Sequence, residues 1–272
     1  MEKFSVLMSV YRREHPAWLR ESLDSVFGQT AAPAEVVLVE DGPLTPELEA
    51  VVREFEGKRP ELHVVRTPQN RGLGPALATG LEHCSYELVA RMDTDDIALP
   101  ARFERQLAAF REHTGIDVCS TWMNEFYGNP EHIVAVKRLP ETPEELSKYG
   151  QKRNPANHPT VMFRKTAVLR CGGYLPYPLF EDYYLWVRML TAGSRFYCIQ
   201  EPLQLFRTSP DMYARRGGFR YALTEAHFQF FLFGIRYISL RTFLGNLTVR
   251  FITRILPLRV RGWLYRRALR RK

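Results

Sequence analysis

No acidic residue follows Glu225, whereas residues 226–272 carry eleven basic ones, from Arg236 to Lys272. Subtracting those eleven from the formal net charge of +8 leaves −3 for residues 1–225. A uniformly basic chain is thereby excluded, and no nucleic-acid partner is expected: the body is slightly acidic and carries no recognition motif. Cysteine is scarce. Cys84, Cys119, Cys171 and Cys198 lie 35, 52 and 27 residues apart, without a CxxC pair, so a dense disulfide framework is excluded and free thiols in a reducing compartment are expected. No uninterrupted apolar run approaches the roughly 18 residues of a membrane span, and the N-terminus lacks the pattern of a signal peptide. A cytoplasmic chain, resting at most on a membrane surface, is therefore expected.

Three glycine patterns are also missing. The segment after the first strand reads Tyr11-Arg12-Arg13-Glu14-His15-Pro16 where a dinucleotide-binding sheet needs GxGxxG. There is no GxxxxGK[ST] and no GxSxG, which removes P-loop hydrolysis and the serine-hydrolase elbow. What remains is ordinary for a folded chain of 272 residues, with 45% hydrophobic, 25% charged and 12% aromatic residues. That length suits one large domain or two small ones.

Strand and helix signals alternate through the first hundred residues. Apolar runs at 4–10, 35–40, 62–66 and 87–92 read as strands, and helical spacing follows at 16–27, after Thr45-Pro46, and from about 74 to 83. Connections this short imply βαβ units, hence a parallel sheet with helices on both faces and ligands at the carboxyl ends of its strands. Beyond a helix from 100 to about 113, strands near 116–126, 132–138, 158–163 and 195–200 interleave with helices opening at Thr142-Pro143 and near Glu181. The second half is thus of mixed topology. The expected division is 1–100 as a nucleotide-binding half, 101–225 as an acceptor-binding half and 226–272 as a basic amphipathic helical tail.

Chemistry concentrates in Arg91-Met92-Asp93-Thr94-Asp95-Asp96, three carboxylates in four residues at the end of an apolar strand. Uncompensated they repel one another, and a hard divalent cation, Mn²⁺ or Mg²⁺, relieves that repulsion while binding the oxygens of a diphosphate. An acidic turn before the next helix is the plainer alternative. Asp41, directly after the second strand, falls at the same sheet edge, where a carboxylate can accept a hydrogen bond from a nucleobase. Tyr11 ends the first strand with a ring able to stack on a base. Glu181 and Asp182 open a helix; they either complement its dipole or supply a general base. His158 can line the cleft or fill a core position.

The segment around Tyr11 and Glu14, Glu40-Asp41-Gly42, Asn70-Arg71-Gly72-Leu73-Gly74, Arg91 to Asp96 with Leu99-Pro100, His158-Pro159-Thr160 and Glu181 to Trp186 together resemble the ordered motifs of bacterial family 2 glycosyltransferases. The resemblance implies a GT-A fold, an α/β Rossmann-like mixed sheet flanked by helices, over about residues 4–207. It implies that Tyr11, Glu14, Asp41, Arg71, Asp93 and His158 serve the nucleotide sugar. Asp93 and Asp95 would be the DxD acids, with the metal ligand able to shift to Asp96, and Asp182, beside Glu181, would be the base of an inverting transfer. The QxxRW segment of processive members is not completed by Gln204-Leu205-Phe206-Arg207, which points to single-sugar addition. The implied partners are a nucleoside-diphosphate sugar, UDP-linked by preference, and a glycan or lipid-linked oligosaccharide acceptor of cell-surface polysaccharide synthesis. A catalytically silent sugar-nucleotide or glycan-binding protein on the same fold is the alternative.

The tail has its own pattern. Leu240, Leu244, Leu247, Phe251, Ile255 and Leu258 form a helical stripe, and arginines gather around Trp263, Leu264 and Leu269. A basic amphipathic helix of this kind suits an anionic membrane surface at the inner face of the plasma membrane. The alternative is that the stripe packs on the body.

Overall fold

The computed structural model describes residues 2–209 and 218–255. Its first half runs β1 (Phe4–Val10), α1 (Pro16–Phe27), β2 (Glu35–Glu40), α2 (Pro46–Lys58), β3 (Leu62–Arg66), α3 (Leu73–His83) and β4 (Leu88–Arg91). The start signals act locally as their chemistry dictates. Thr45 Oγ1 accepts from the Leu48 N–H at 3.4 Å with Pro46 in the first turn, and His15 Nδ1 accepts from the Ala17 N–H at 3.3 Å ahead of Pro16.

The second half continues with β5 (Ile97–Ala98), α4 (Arg102–Glu112), β6 (Val118–Phe126), β7 (Ile133–Lys137), α5 (Pro143–Gly150), a 3₁₀ turn (His158–Thr160), β8 (Met162–Arg164), α6 (Lys165–Arg170), α7 (Glu181–Thr191), β9 (Phe196–Arg207), α8 (Phe219–Gly234) and α9 (Leu240–Ile255). The strand expected over 158–163 is shortened. Pro159 has no N–H to give a ladder, and the Thr160 hydroxyl bonds the Asn157 carbonyl at 2.9 Å, so the chain turns before β8 begins.

The strands form one sheet in the order β3-β2-β1-β4-β8-β6-β9-β5, with β7 paired to β6. The first four are parallel to one another; β8 is antiparallel to both β4 and β6, and β6 and β9 are parallel again. Period-2 alternation sorts side chains to the two faces. Val6, Met8, Val36 and Leu38 pack with Leu23, Val52 and Phe103 on one face, and Leu7, Val37 and Val39 pack with Leu77, Leu81 and Trp186 on the other. A third cluster joins α7 to the C-terminal helices through Tyr183, Val187, Phe228, Leu232 and Phe243.

The charge division at residue 225 falls inside α8, whose 16 residues run through it without a break. Of the tail stripe, Leu240 and Leu244 are exposed and Leu247 is partly buried, while Phe243, outside the stripe, is the residue that enters the core. The arginines around Trp263 lie outside the described residues.

Candidate active site

The carboxyl ends of β1, β2 and β4 lie side by side because β1 is central among them; Val10 pairs with Glu40, and Leu7 with Arg91. Beyond Arg91 the chain stays along β1. The Met92 N–H bonds the Leu7 carbonyl at 3.1 Å, the Thr94 hydroxyl bonds the Ser9 carbonyl at 3.2 Å, and Ser22 Oγ donates to the Asp93 carbonyl at 2.8 Å. The acidic segment is therefore held in shape by its backbone, which leaves its carboxylates to converge.

Asp93, Asp95 and Asp96 each offer an oxygen within 4.8 Å of the other two. Asp93 and Asp95 are half-buried and Asp96 is fully buried. Asp96 is also a strut: its Oδ2 accepts from Gln204 Nε2 at 2.7 Å and its Oδ1 from the Arg207 N–H at 2.9 Å, pinning the acidic loop to β9. Burial and then the neighbouring Asp93 charge push the Asp95 carboxyl up to about 6, and the Asp96 carboxyl is raised by burial and the same neighbours. Glu14, at the end of the β1–α1 loop, is pushed up to about 8 by burial, with Asp95 and Asp93 adding repulsion. Four acids thus crowd one spot.

Arg91 is the counter-charge beneath them. It is almost wholly buried, pairs with Asp93, and its charge also reaches Asp96, Tyr174, His158 and Asp182. His158 lies under the cleft, with Nε2 at 3.1 Å from the Tyr174 hydroxyl and its ring edge-on to Trp186; burial, then Arg91, drives its pKa well down, so it is neutral.

Asp41 is buried at the tip of β2 and gathers the second loop around itself. Its Oδ1 accepts from the Arg71 N–H at 2.8 Å and its Oδ2 from the Gly72 N–H at 2.9 Å. Gly42, at φ +80°, closes that turn; a Cβ there would meet the Asn70 nitrogen at 2.5 Å. The Arg71 side chain is exposed and Tyr11 is half-buried.

Glu181 and Asp182 start α7. Asp182 Oδ2 accepts from Asn154 Nδ2 at 2.5 Å and Oδ1 from the Tyr183 N–H at 2.7 Å, while burial raises its carboxyl. Glu181 packs on the start of α3, where a Cβ on Gly74 would come within 3.1 Å of its Cγ, and burial raises it too.

Three contributors carry no signal in the sequence. Asn154 is a loop amide like many others until it meets Asp182. Gln204 and Arg207, on β9, reach the acidic loop only through the long-range pairing of that strand; Arg207 Nε also donates to the Asp95 carbonyl at 2.8 Å. The Arg207 guanidinium is sandwiched over Trp18 and Phe126 and bound to Glu21, so it is spent on the scaffold.

The sequence pattern described as "Glycosyl transferase family 2" matches residues 5–172. The chain belongs to that family. It is 43% identical to an uncharacterized glycosyltransferase of Haemophilus influenzae over 99% of this chain and 100% of the relative. It is 37% identical to a UDP-Gal:alpha-D-GlcNAc-diphosphoundecaprenol beta-1,3-galactosyltransferase of Escherichia coli, over 99% of this chain and 97% of that one. Its fold resembles that of S. aureus TarS residues 1–349 in complex with UDP-GlcNAc, with a TM-score of 0.71 at 20% identity over 98% of this chain and 76% of the other. The family 2 chain thus has a GT-A sheet, with its clustered acids at the carboxyl end of β4.

Proposed function

We propose that this family 2 glycosyltransferase inverts configuration while moving one sugar from a nucleoside-diphosphate sugar, UDP-linked, to a hydroxyl of a lipid-linked glycan precursor of surface polysaccharide. The observation that carries the reading is that two acidic groups share one buried counter-charge: the Asp93-Asp95-Asp96 cluster just after β4 and Asp182 at the start of α7 both feel Arg91. The name of the Escherichia coli relative supports the donor and the lipid-linked acceptor.

The donor set fits a hard divalent cation, since three crowded carboxylates, of which Asp95 and Asp96 are raised by burial and their neighbours, offer only oxygen ligands. Asp93 and Asp95 would hold Mn²⁺ or Mg²⁺; Asp96, whose oxygens are engaged by β9, would steady them. Bound there, the ion would neutralise charge growing on a departing diphosphate.

The chain's own residues do the rest. Tyr11, Asp41 and Arg71 bound the nucleoside end, with Asp41 keeping the Arg71 loop against β2. Glu14 closes the cluster from the first loop, and His158 supports the floor through Tyr174. Asp182, made more basic by burial and aimed by Asn154 and its helix amide, takes the proton of the acceptor hydroxyl as that oxygen attacks the anomeric carbon and the bond to the diphosphate oxygen breaks. Attack from the side opposite the leaving group inverts the centre. Glu181, next to it, shapes the acceptor side. Among the described residues no helix is long and apolar enough to cross a membrane, and the basic tail suits a peripheral position at the inner face of the plasma membrane.

A thermal-shift panel of UDP-, GDP- and dTDP-sugars with and without Mn²⁺ tests the donor site, with cation-dependent stabilisation by a UDP-sugar as the expected result. Asp182→Asn should abolish transfer and leave that stabilisation intact. Silence across the panel, or transfer surviving in Asp182→Asn, would overturn the assignment.

A further inference from the structure

The C-terminal helices present an apolar face that the body does not use. On α8 the inner side, with Phe228 and Leu232, is buried against α7, Phe228 stacking on Phe180 at 5.0 Å. At about 100° per residue, positions 219, 223, 230 and 233 fall within about 80° of one another on the other side. Phe219, Leu223, Phe230 and Phe233 are indeed 63%, 50%, 57% and 38% exposed. The stripe continues onto α9, because the Phe243 ring lies 5.0 Å from both Phe230 and Phe233 and is flanked by Leu240 and Leu244, each more than half exposed. Exposed aromatic stripes of this extent mark a surface with an occupant.

Charge says which occupant. The one acid in 218–255, Glu225, is buried and paired with Arg250, so this hairpin turns no carboxylate to solvent, whereas Arg220, Arg236 and Arg241 are exposed. Residues 256–272 add seven of the eleven basic residues and no acid. A protein partner would be met by charges of both signs around an apolar centre; a surface with apolar rings and cations only is matched by anionic lipid, whose tails take the rings and whose headgroups take the arginines.

We infer that the Phe219-Leu223-Phe230-Phe233 face of α8, extended by Leu240 and Leu244 of α9, is the surface on which the protein lies against an anionic bilayer. The inference rests on the lipid-linked acceptor proposed above and adds where the protein meets the membrane. It moves the contact off the end of the chain and onto a helix whose opposite side packs on Phe180 and Tyr183, the neighbours of Asp182. One helix diameter, about 10–12 Å, then separates the bilayer surface from the start of α7, so a sugar held on a lipid diphosphate would be presented near the proposed base.

The test is co-sedimentation of the full chain with phosphatidylcholine vesicles, with and without about 30 mol % phosphatidylglycerol. The wild type should bind only the anionic vesicles, and a Leu223→Gln, Phe230→Gln double variant should bind them at least about tenfold more weakly at unchanged thermal midpoint. A Leu240→Gln, Leu244→Gln variant, altered where no core ring is touched, should lose affinity in the same direction. The first variant should keep transfer to a short-chain, water-soluble diphosphate-linked acceptor and lose it to the same acceptor anchored in vesicles. Undiminished binding by both variants would overturn the face, since the arginines alone would then account for attraction. So would a wild-type dimer that either variant dissolves, because a second copy would then be the occupant. If the wild type binds anionic vesicles through this face yet transfers to neither acceptor, the face stands and the reading of the acceptor fails.

Discussion

Arg91 donates from Nη2 to Oδ1 of Asp93, two residues further along the same strand end, while its Nε and Nη1 make no hydrogen bond although they are buried. Two unmatched buried N–H groups cost about 1–3 kcal/mol each, so the guanidinium stays because its charge is needed by the carboxylates around it. Arg91→Met should therefore lower folding stability by about 3–5 kcal/mol, the cost of leaving one side of a buried pair alone. Arg91→Lys keeps the charge without the fork and should recover part of that loss. Chemical denaturation without divalent cation measures both. A methionine variant as stable as the wild type would show that the acids do not depend on this arginine.

Asn154 tests the base from a distance of one hydrogen bond. Its amide donates to the carboxylate of Asp182 and thereby favours the charged form; burial opposes it. Removing the amide in Asn154→Ala should raise the Asp182 pKa further, so the acidic limb of the kcat/KM profile should move to higher pH. The loss at the plateau should be about tenfold or less, smaller than the 10²–10⁴ that a general base contributes. An unshifted limb with a uniformly lower rate would mean that Asn154 acts on something other than this proton.

The parallel half of the fold was legible because its signals are local. Apolar runs alternating with capped helices over short connections leave few topologies, and Asp41 and the Asp93 cluster had to share the edge that β1, β2 and β4 share. The mixed half was less legible. Whether β6 pairs with β8, β7 or β9 depends on contacts separated by as much as 81 residues in the chain, and Gln204 or Arg207 gains meaning only once β9 is laid beside β6. His158 was ambiguous for a different reason. A histidine near a motif reads alike whether it faces a ligand or, as here, bonds Tyr174 beneath the cleft. Whether the tail stripe packs on the body was not legible, because α8, on which α9 lies, had no partner in the sequence to say which of its faces was taken.

The raised carboxyls give the protein a pH signature. Asp95 is pushed up to about 6 and Glu14 to about 8, both above the values of an unfolded chain. The folded protein therefore holds more protons than the unfolded chain between about pH 4 and 8, and its cation-free stability should fall as pH rises through that window. Cation stabilisation should run the other way, since Mn²⁺ competes with protons at low pH and meets ionised ligands at high pH. Thermal midpoints at pH 6 and 8, with and without Mn²⁺, should show a cation-free decrease of a few degrees and a larger Mn²⁺ shift at pH 8. Glu14→Gln should flatten the cation-free slope; an unchanged slope would assign the linkage to other groups.

Asp95 and Asp96 are adjacent and should answer differently to the same substitution. Asp95 is half-buried, and its crowding with Asp93 is relieved by an amide, so Asp95→Asn should keep or raise cation-free stability while abolishing the response to Mn²⁺. Asp96 is fully buried between two donors, Gln204 Nε2 and the Arg207 N–H, and Gln204 is fixed in that orientation because its Oε1 accepts from Arg102 Nη1 at 2.7 Å. Asparagine there has one acceptor for two donors and turns its own NH₂ against the other. Asp96→Asn should therefore lower stability by about 1–3 kcal/mol, read as a lower denaturant midpoint with unchanged slope. It should retain a cation response, weakened because the loop that aims Asp93 and Asp95 is less firmly held. If Asp96→Asn proves as stable as the wild type and blind to Mn²⁺, the strut assignment is wrong and the cation ligand has shifted by one position.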